Sequence, residues 1–207
     1  MAYSKQAKKL FMENSRKMDD CNLCAEVDNK VGAKARYGTV ILKTGNKDNG
    51  WFATLSPRTG GNPKHDFTVQ LMPQRHLTHF SQIGVHPGMA EQFGICFSLI
   101  SKAMTAVMMQ SEGLLANAKG KGLSVALATY GKSTTWTEKK EHLHLKLFPF
   151  RGNIGQPYTV DSSFEKKEIY LNKNKGVAFV KMTPVKKVLI DAKKYNKLVK
   201  DLLSALN

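Results

Sequence analysis

The sequence predicts an α+β fold in which an antiparallel sheet packs against one long helix. Three strand patterns, at residues 37–43, 51–55 and 66–72, follow one another with only turn residues between them. This order is typical of an antiparallel meander and not of alternating strand–helix units. A long helical pattern at residues 87–110 follows, and a strictly alternating strand pattern at residues 141–148 comes later in the chain.

Turn residues and helix signals support these boundaries. Glycine, asparagine and aspartate cluster at residues 45–50, and proline, glycine and asparagine cluster at residues 57–63. The long helix has Pro87 at its start and Gly113 just past its end. Its apolar residues recur at spacings of three and four, which predicts a core-facing stripe. The stripe consists of Met89, Phe93, Cys96, Phe97, Ile100, Met104, Val107 and Met108.

The remaining segments are predicted to flank this sheet. Residues 3–18 have the pattern of a basic amphipathic helix, and residues 123–130 have that of a strand. After residue 152 the composition shifts, with a hairpin expected at 168–171 and 177–182 and a closing helix at 188–206. The predicted parts are an N-terminal helix (1–19), a main domain (20–152) and a C-terminal extension (153–207).

Charge is the strongest compositional signal. The chain has 32 Lys and Arg residues against 16 Asp and Glu, which gives a formal net charge of +16. Such a field attracts phosphorylated partners, whether nucleotides, nucleic acid or an anionic membrane surface. A basic surface that serves only solubility is the alternative interpretation.

The cellular setting is predicted from what the sequence lacks. Three cysteines do not suggest a disulfide scaffold. No apolar run reaches the roughly 20 residues of a membrane span, and no signal peptide is evident. We therefore expect a cytoplasmic protein without a transmembrane segment.

The alternating segment at residues 141–148 carries the chemistry. Its period of two places His142, His144 and Lys146 on one face and leucines on the other. Two imidazoles and an ammonium in a row suit a metal, a phosphate or both. The alternative is an edge strand whose polar face is only solvated.

Other candidate residues lie elsewhere in the chain. Cys21 and Cys24 form a CxxC pair, which is a zinc half-site, a redox pair or a chance occurrence. His76 follows the third strand pattern directly, whereas His65, His79 and His86 are interpreted as surface or capping residues. A loop with glycine, lysines and hydroxyls precedes the histidine strand and is a candidate phosphate cradle. The hydroxyl groups are those of Ser133, Thr134 and Thr135.

Together these residues resemble the histidine-triad (HIT) superfamily. The strand His142-Leu143-His144-Leu145-Lys146-Leu147-Phe148 is similar to its motif, His-φ-His-φ-His-φ-φ with φ apolar, except that Lys146 stands at the third histidine. The preceding order is also similar: an early CxxC, a meander, the Pro73-Gln74-Arg75-His76 segment, a long helix and two strands. The resemblance covers residues 20–150.

The resemblance implies a five-stranded antiparallel HIT-like sheet and nucleotidyl transfer or hydrolysis at an α-phosphate. In zinc-bearing members the two cysteines, the Pro-x-x-His histidine and the first motif histidine bind the metal. The ligands implied here are Cys21, Cys24, His76 and His142. Four protein ligands make a closed, structural zinc site and not a catalytic one.

The middle histidine of the motif, His144, is the implied nucleophile, which forms a covalent nucleotidyl-histidine. Lys146 and the loop hydroxyls of Ser133, Thr134 and Thr135 are candidates to neutralise the phosphate charge. Two of the departures from the family pattern concern these site residues. Lysine clamps a phosphate as a point charge but is a poor proton donor near neutral pH. Thr54 stands where many members carry a ribose-binding aspartate, and it is a candidate substrate-binding residue.

Three hypotheses follow. The first is a HIT-like nucleotidyl hydrolase or transferase, with a nucleotide or nucleotide conjugate as substrate. The second is a nucleic-acid-binding or DNA-end-processing relative, which the net charge favours. The third is a non-catalytic nucleotide-binding protein, which the altered triad favours. The resemblance also implies a homodimer, since family members are often dimers.

Overall fold

The structure is a computed structural model, and it describes residues 21–60, 63–112, 124–130, 142–150, 164–172, 177–184 and 187–207. The helix expected at residues 3–18 lies outside this part of the chain. The strands are β1 (Lys34–Ala35), β2 (Gly38–Thr44), β3 (Trp51–Leu55), β4 (Arg58–Thr59), β5 (Val69–Pro73), β6 (Ser124–Tyr130), β7 (His144–Phe150), β8 (Phe164–Asn172), β9 (Val177–Pro184) and β10 (Val188–Leu189). The α-helices are α1 (Asn22–Glu26), α2 (Met89–Glu112) and α3 (Ala192–Leu206), and a 3₁₀ helix spans Phe80–Val85.

The main sheet confirms the predicted α+β architecture. Its five longer strands are all antiparallel and lie in the order β2-β3-β5-β7-β6, with the two-residue β1 added beside β2. The first three follow chain order, as expected for a meander, and β7 lies between β5 and β6. The histidine strand is therefore a central strand of the sheet and not an edge strand.

The histidine strand begins later than its pattern predicts. Alternation indicated a strand from residue 141, but β7 starts at His144. The backbone N–H of Leu143 donates to the carbonyl of Leu77 at 2.6 Å. His142 and Leu143 are thus tied to the segment that follows β5 and precede the sheet ladder. This correction matters for the site, because His76 belongs to that same segment.

The core lies between one face of the sheet and α2. The predicted stripe of α2 is confirmed at Met89, Cys96, Ile100, Met104, Val107 and Met108, which are all buried. Trp51 of β3 packs against this helix, and its indole N–H donates to the carbonyl of Met89 at 3.0 Å. Leu143, Leu145 and Leu147 belong to the same cluster, so the leucine face of the histidine strand is its core face.

The C-terminal helix also contributes to this core. Residues 188–206 were expected to be helical throughout, but Val188–Leu189 pairs with β4 and the helix begins at Ala192. Asp191 caps the helix by accepting from the backbone N–H groups of Lys193 and Lys194. Leu198 and Leu202 are buried in the main cluster. The predicted hairpin is confirmed as β8 and β9, which pair antiparallel.

One described helix has the length and composition that could cross a membrane. It comprises Met89–Ser111, with a mean hydropathy of 1.4 and about a third of the segment buried. Here it packs against the sheet and α3, since its apolar stripe forms the core.

Candidate metal centre and neighbouring histidine

The CxxC pair lies on the short helix α1. Cys21 is the residue before the helix and Cys24 lies within its single turn, where the Ala25 N–H donates to the Cys21 carbonyl. A separation of three residues on one turn places the two thiols on the same side. Both cysteines are buried, at 2% and 0% exposure.

His76 and His142 complete a buried cluster with the cysteines. One ligand atom from each of Cys21, Cys24, His76 and His142 lies within 4.8 Å of the others. The two imidazole rings meet edge to face, with centroids 5.1 Å apart. The backbone bond between Leu143 and Leu77 explains how they meet, because each histidine is adjacent to one of these residues. We call this set the Cys2His2 cluster; it is compatible with a metal site.

The distances within the Cys2His2 cluster suit tetrahedral coordination. The Nδ1 atom of His142 lies 3.6 Å from Cys21 Sγ and 3.4 Å from Cys24 Sγ, and His76 Nδ1 lies 3.2 Å from Cys24 Sγ. A tetrahedron with metal–sulfur bonds of about 2.3 Å and metal–nitrogen bonds of about 2.0 Å has sulfur–nitrogen edges of about 3.5 Å. These three sulfur–nitrogen distances are close to that edge length.

A second contact orients His142 for this role. Its Nε2–H donates to the carbonyl of Pro73 at 2.9 Å, so the lone pair of the neutral ring is on Nδ1, which faces the cysteines. Metal-bound histidines are commonly held in this way by a carbonyl on the other ring nitrogen. Pro73 ends β5, so this contact also joins the Cys2His2 cluster to the sheet.

The Cys21 thiol is also prepared to act as a thiolate. Hydrogen bonding from Cys24 lowers the pKa of Cys21 well below its ordinary value, against the opposing effect of burial, and His142 and His76 lower it further. The thiolate is the form that binds metal. Cys96 contrasts with this pair, since burial in the core raises its pKa to about 12.

His144 is the first residue of β7 and lies on the face opposite the core. Its Nδ1–H donates to the backbone carbonyl of His142 at 3.1 Å. In the neutral ring this contact leaves the lone pair on Nε2. Burial lowers the pKa of His144, and the positive charges of Lys146 and Lys187 lower it further, against the raising effect of the carbonyl bond. The neutral imidazole is therefore favoured near pH 7.

A polar row crosses the sheet beside His144. The register pairs Thr54 with Gln70 and Gln70 with Lys146, so these residues share the face of His144. Lys146 is 6% exposed, and Thr54 is fully buried. Among the described residues the Thr54 hydroxyl has no hydrogen-bond partner. A substrate contact of Thr54 would require this buried hydroxyl to become accessible.

A cleft lined by three cations adjoins this row. We call it the basic cleft, and its cations are Lys146, Arg58 of β4 and Lys187 just before β10. Ser56, Thr68 and Gln70 add polar groups to its lining. Sequence reasoning missed Arg58 and Lys187, since two-residue strands carry no period that could be recognised. The alternation of Val69-Gln70-Leu71 could have placed Gln70 on this face.

The remaining predicted residues have mixed outcomes. Ser133, Thr134 and Thr135 lie outside the described part of the chain. His79 caps the 3₁₀ helix, as expected for a capping residue. His65 is exposed. His86 is buried, with 8% exposure, and it is the C-terminal capping residue of the 3₁₀ helix, where its backbone N–H donates to the carbonyl of Ile83.

Comparison with known proteins adds no relative. The chain matches no family model, no curated protein and no solved structure.

Proposed function

We propose that this protein is a HIT-like nucleotidyl hydrolase or transferase that acts through a covalent nucleotidyl-histidine on His144. One observation carries the proposal: His144 stands on a central strand with Nδ1–H bound to a backbone carbonyl, two residues after His142 of the Cys2His2 cluster. This is the tautomer that a nucleophilic Nε2 requires. The order of motifs in the sequence supports the same family.

We propose zinc as the metal of the Cys2His2 cluster. Two sulfurs and two imidazoles are a common ligand set for structural zinc, which accepts four protein ligands in a tetrahedron. Such a metal would join α1, the segment after β5 and the start of the histidine strand. When bound, it would supply cross-linking and not a reactive position.

In the proposed chemistry the neutral Nε2 of His144 attacks the α-phosphorus of a nucleotide. A nitrogen–phosphorus bond forms, and the bond to the leaving group breaks with its electron pair on that group. Water or another acceptor then attacks the phosphorus and releases the imidazole. The carbonyl of His142 holds the ring orientation and stabilises the positive charge that the ring carries in the intermediate.

Cations next to His144 would neutralise the charge that develops on the phosphoryl oxygens. Lys146 follows His144 by two residues on the same strand face, about 7 Å along the strand at about 3.3 Å per residue. The hydroxyls of Ser133, Thr134 and Thr135 are retained as candidates for the same role because they precede the histidine strand in the chain.

A trapping experiment tests this function. The protein is mixed with dinucleotides, sugar nucleotides and nucleoside phosphoramidates that carry a radiolabelled α-phosphate, and it is then quenched in alkali. We expect a labelled protein that is absent in His144→Ala. If the wild type forms no adduct with any of these donors, the catalytic proposal is wrong and nucleotide binding without catalysis is favoured.

The net charge of +16 favours a second candidate, a relative that binds nucleic acid or processes DNA ends. Contacts to phosphates release counterions, so affinity for single- or double-stranded DNA would fall steeply as salt rises. Binding that is weak and insensitive to salt would exclude this alternative. The first candidate is preferred because it accounts for the geometry of His144.

A further inference from the structure

We propose that the exposed side of α3 binds the phosphate backbone of a nucleic-acid duplex through Lys193, Lys197 and Lys200. We call these three residues the lysine row. The second candidate function derives a nucleic-acid partner from the net charge alone, whereas this inference assigns the partner a surface. It does not depend on the chemistry proposed at His144 or on the metal.

The lysine row lies along one side of α3. Its spacings of four and three residues place the three side chains on the same side of the helix, and all three residues are exposed. The row extends over about 10 Å at about 1.5 Å per residue. One strand of a duplex carries about three phosphates over that length, at about 3.4 Å each. The length of the row therefore suits the backbone of one strand.

The nearby carboxylates leave much of this charge uncompensated. Asp191 accepts from backbone N–H groups at the start of α3 and serves as the helix cap. Asp201 pairs with Lys197 at 2.6 Å, and its side chain is only 20% exposed. Within the described part of the chain, Lys193 and Lys200 form no ion pair. The row therefore presents positive charge to an anion in solution.

The stability of α3 does not explain the lysine row. Like charges three or four residues apart destabilise a helix, and the row contains two such pairs. The helix also has no acidic residue in its first turn and no basic residue in its last turn, which is the reverse of what the helix dipole favours. The same arrangement adds the positive end of the helix to the charge of Lys193 and attracts phosphate. Binding of an anion explains an order that folding disfavours.

A second segment brings a further cation to this surface. The Nζ atom of Lys194 donates to the carbonyl of Pro63 at 2.6 Å, so the segment before β5 is held beside the start of α3. Lys64, the next residue of that segment, is exposed, whereas Asp66 is half-buried. The positive surface therefore continues from the helix onto the neighbouring loop.

The residues of α3 favour a duplex over a membrane or a single strand. Leu198 and Leu202 are buried in the main cluster, so the apolar side that a helix inserts into a bilayer surface is already occupied. The remaining exposed positions of α3 are Ala192, Asn196 and Ser204. None is aromatic, so this surface offers unpaired bases no side chain on which to stack. A duplex backbone requires only the positive charge.

Binding to labelled duplexes of about 20 base pairs, as DNA and as RNA, tests the proposal. The variant combines Lys193→Gln, Lys197→Gln and Lys200→Gln. At about 0.1 M salt we expect its Kd for the duplex that the wild type prefers to rise at least tenfold. The slope of log K against log salt should become shallower by about two to three, since each phosphate contact contributes about 0.9.

A matched control separates this surface from the net charge. Lys30→Gln, Lys47→Gln and Lys102→Gln together remove the same three charges from exposed positions outside α3. The control should change Kd less than about threefold, because salt screens exposed charges beyond about 10 Å. Equal weakening in this control would overturn the proposal.

Two further readouts separate binding from folding. Arginine at the three row positions keeps the charge and should keep Kd within about threefold of the wild type. The glutamine variant should melt at the wild-type Tm or higher, since it removes repulsion between like charges. Loss of binding with arginine, or a lower Tm with glutamine, would contradict the assignment of the row to a phosphate backbone.

Other anions test the choice of partner. A single strand of the same length, and phosphatidylcholine vesicles with about 30% phosphatidylserine, should both bind more weakly than the duplex. Tighter binding of either one would overturn the choice of a duplex, as would a wild-type protein that binds neither duplex. The duplex Kd should be unchanged in His144→Ala, so absence of a nucleotidyl adduct would contradict the proposed function and leave this inference standing.

Discussion

On one face of β7, Leu145 and Leu147 lie in the core against α2, whereas on the other face His144 and Lys146 border the Cys2His2 cluster and the basic cleft. The strand is the same, but the neighbours differ in origin. The core face contacts residues that recur at the regular spacing of the helix or strand to which they belong. The polar face collects side chains from distant segments. The alternation of a single strand thus separates a packed face from the face that carries the candidate site.

Cysteines show the same contrast. Cys96 lies in the core stripe of α2 and has a raised pKa of about 12, whereas hydrogen bonding lowers the pKa of Cys21. Both residues are buried. Burial alone therefore does not determine thiol chemistry, because the partners of each sulfur decide which charge state is favoured.

Loss of the Cys2His2 cluster should have the largest effect. We expect the purified protein to contain one zinc per chain, and Cys24→Ala to lose it. A structural zinc contributes to folding directly, so its loss should lower the free energy of unfolding by several kcal/mol. For a chain of this size, each kcal/mol corresponds to a change of about 2–4 °C in Tm. Metal analysis and thermal melts, with and without a chelator, measure both.

Cys96→Ala is the control for that experiment, since it removes a buried thiol from the opposite face and should retain the metal. Purified wild-type protein without zinc, or a chelator that leaves Tm unchanged, would contradict the four-ligand assignment.

Substitutions at two adjacent residues of β7 should distinguish the role of its core face from that of its polar face. Leu145→Ala removes a fully buried core side chain and should lower the free energy of unfolding by about 2–5 kcal/mol. Lys146→Gln should change stability much less but slow formation of the nucleotidyl adduct at least tenfold. Denaturant unfolding and rapid quench measure the two effects. Equal losses of stability would show that the polar face is also a packing face.

The smallest expected effect is the alkylation of Cys96 in the native protein. Because burial raises the pKa of Cys96 to about 12, its thiol stays protonated and should remain unmodified by iodoacetamide in native protein at pH 8. Peptide mass spectrometry should find modification at Cys96 only after denaturation. Rapid labelling of Cys96 in the native state would contradict its place in the core.

Sequence reasoning predicted the core face well and the polar face only with the help of a resemblance. Periods of two and 3.6 identify the leucines of β7 and the stripe of α2, since each is contained within one element. Cys21 and His142 are 121 positions apart, and no local period connects them. The first residues of the histidine motif were wrongly placed in the strand because alternation continues past the point where the backbone turns to Leu77.

The basic cleft shows where pattern reasoning stops. Arg58 and Lys187 belong to or adjoin two-residue strands, which are too short to show alternation. Their meeting depends on the pairing of β4 with β10, which is a tertiary contact. The position of Gln70 on the polar face could have been predicted, because its strand alternates between the two faces.

The most direct test of the account is to identify which side chain of β7 carries the nucleotidyl adduct. Lysine as well as histidine can carry a nucleotidyl group through a nitrogen–phosphorus bond, and both are present on this face. After an alkaline quench, tandem mass spectrometry of the peptide containing residues 142–150 should place the group on His144, with loss in His144→Ala and retention at a reduced level in Lys146→Gln. An adduct on Lys146 that persists in His144→Ala would contradict the account.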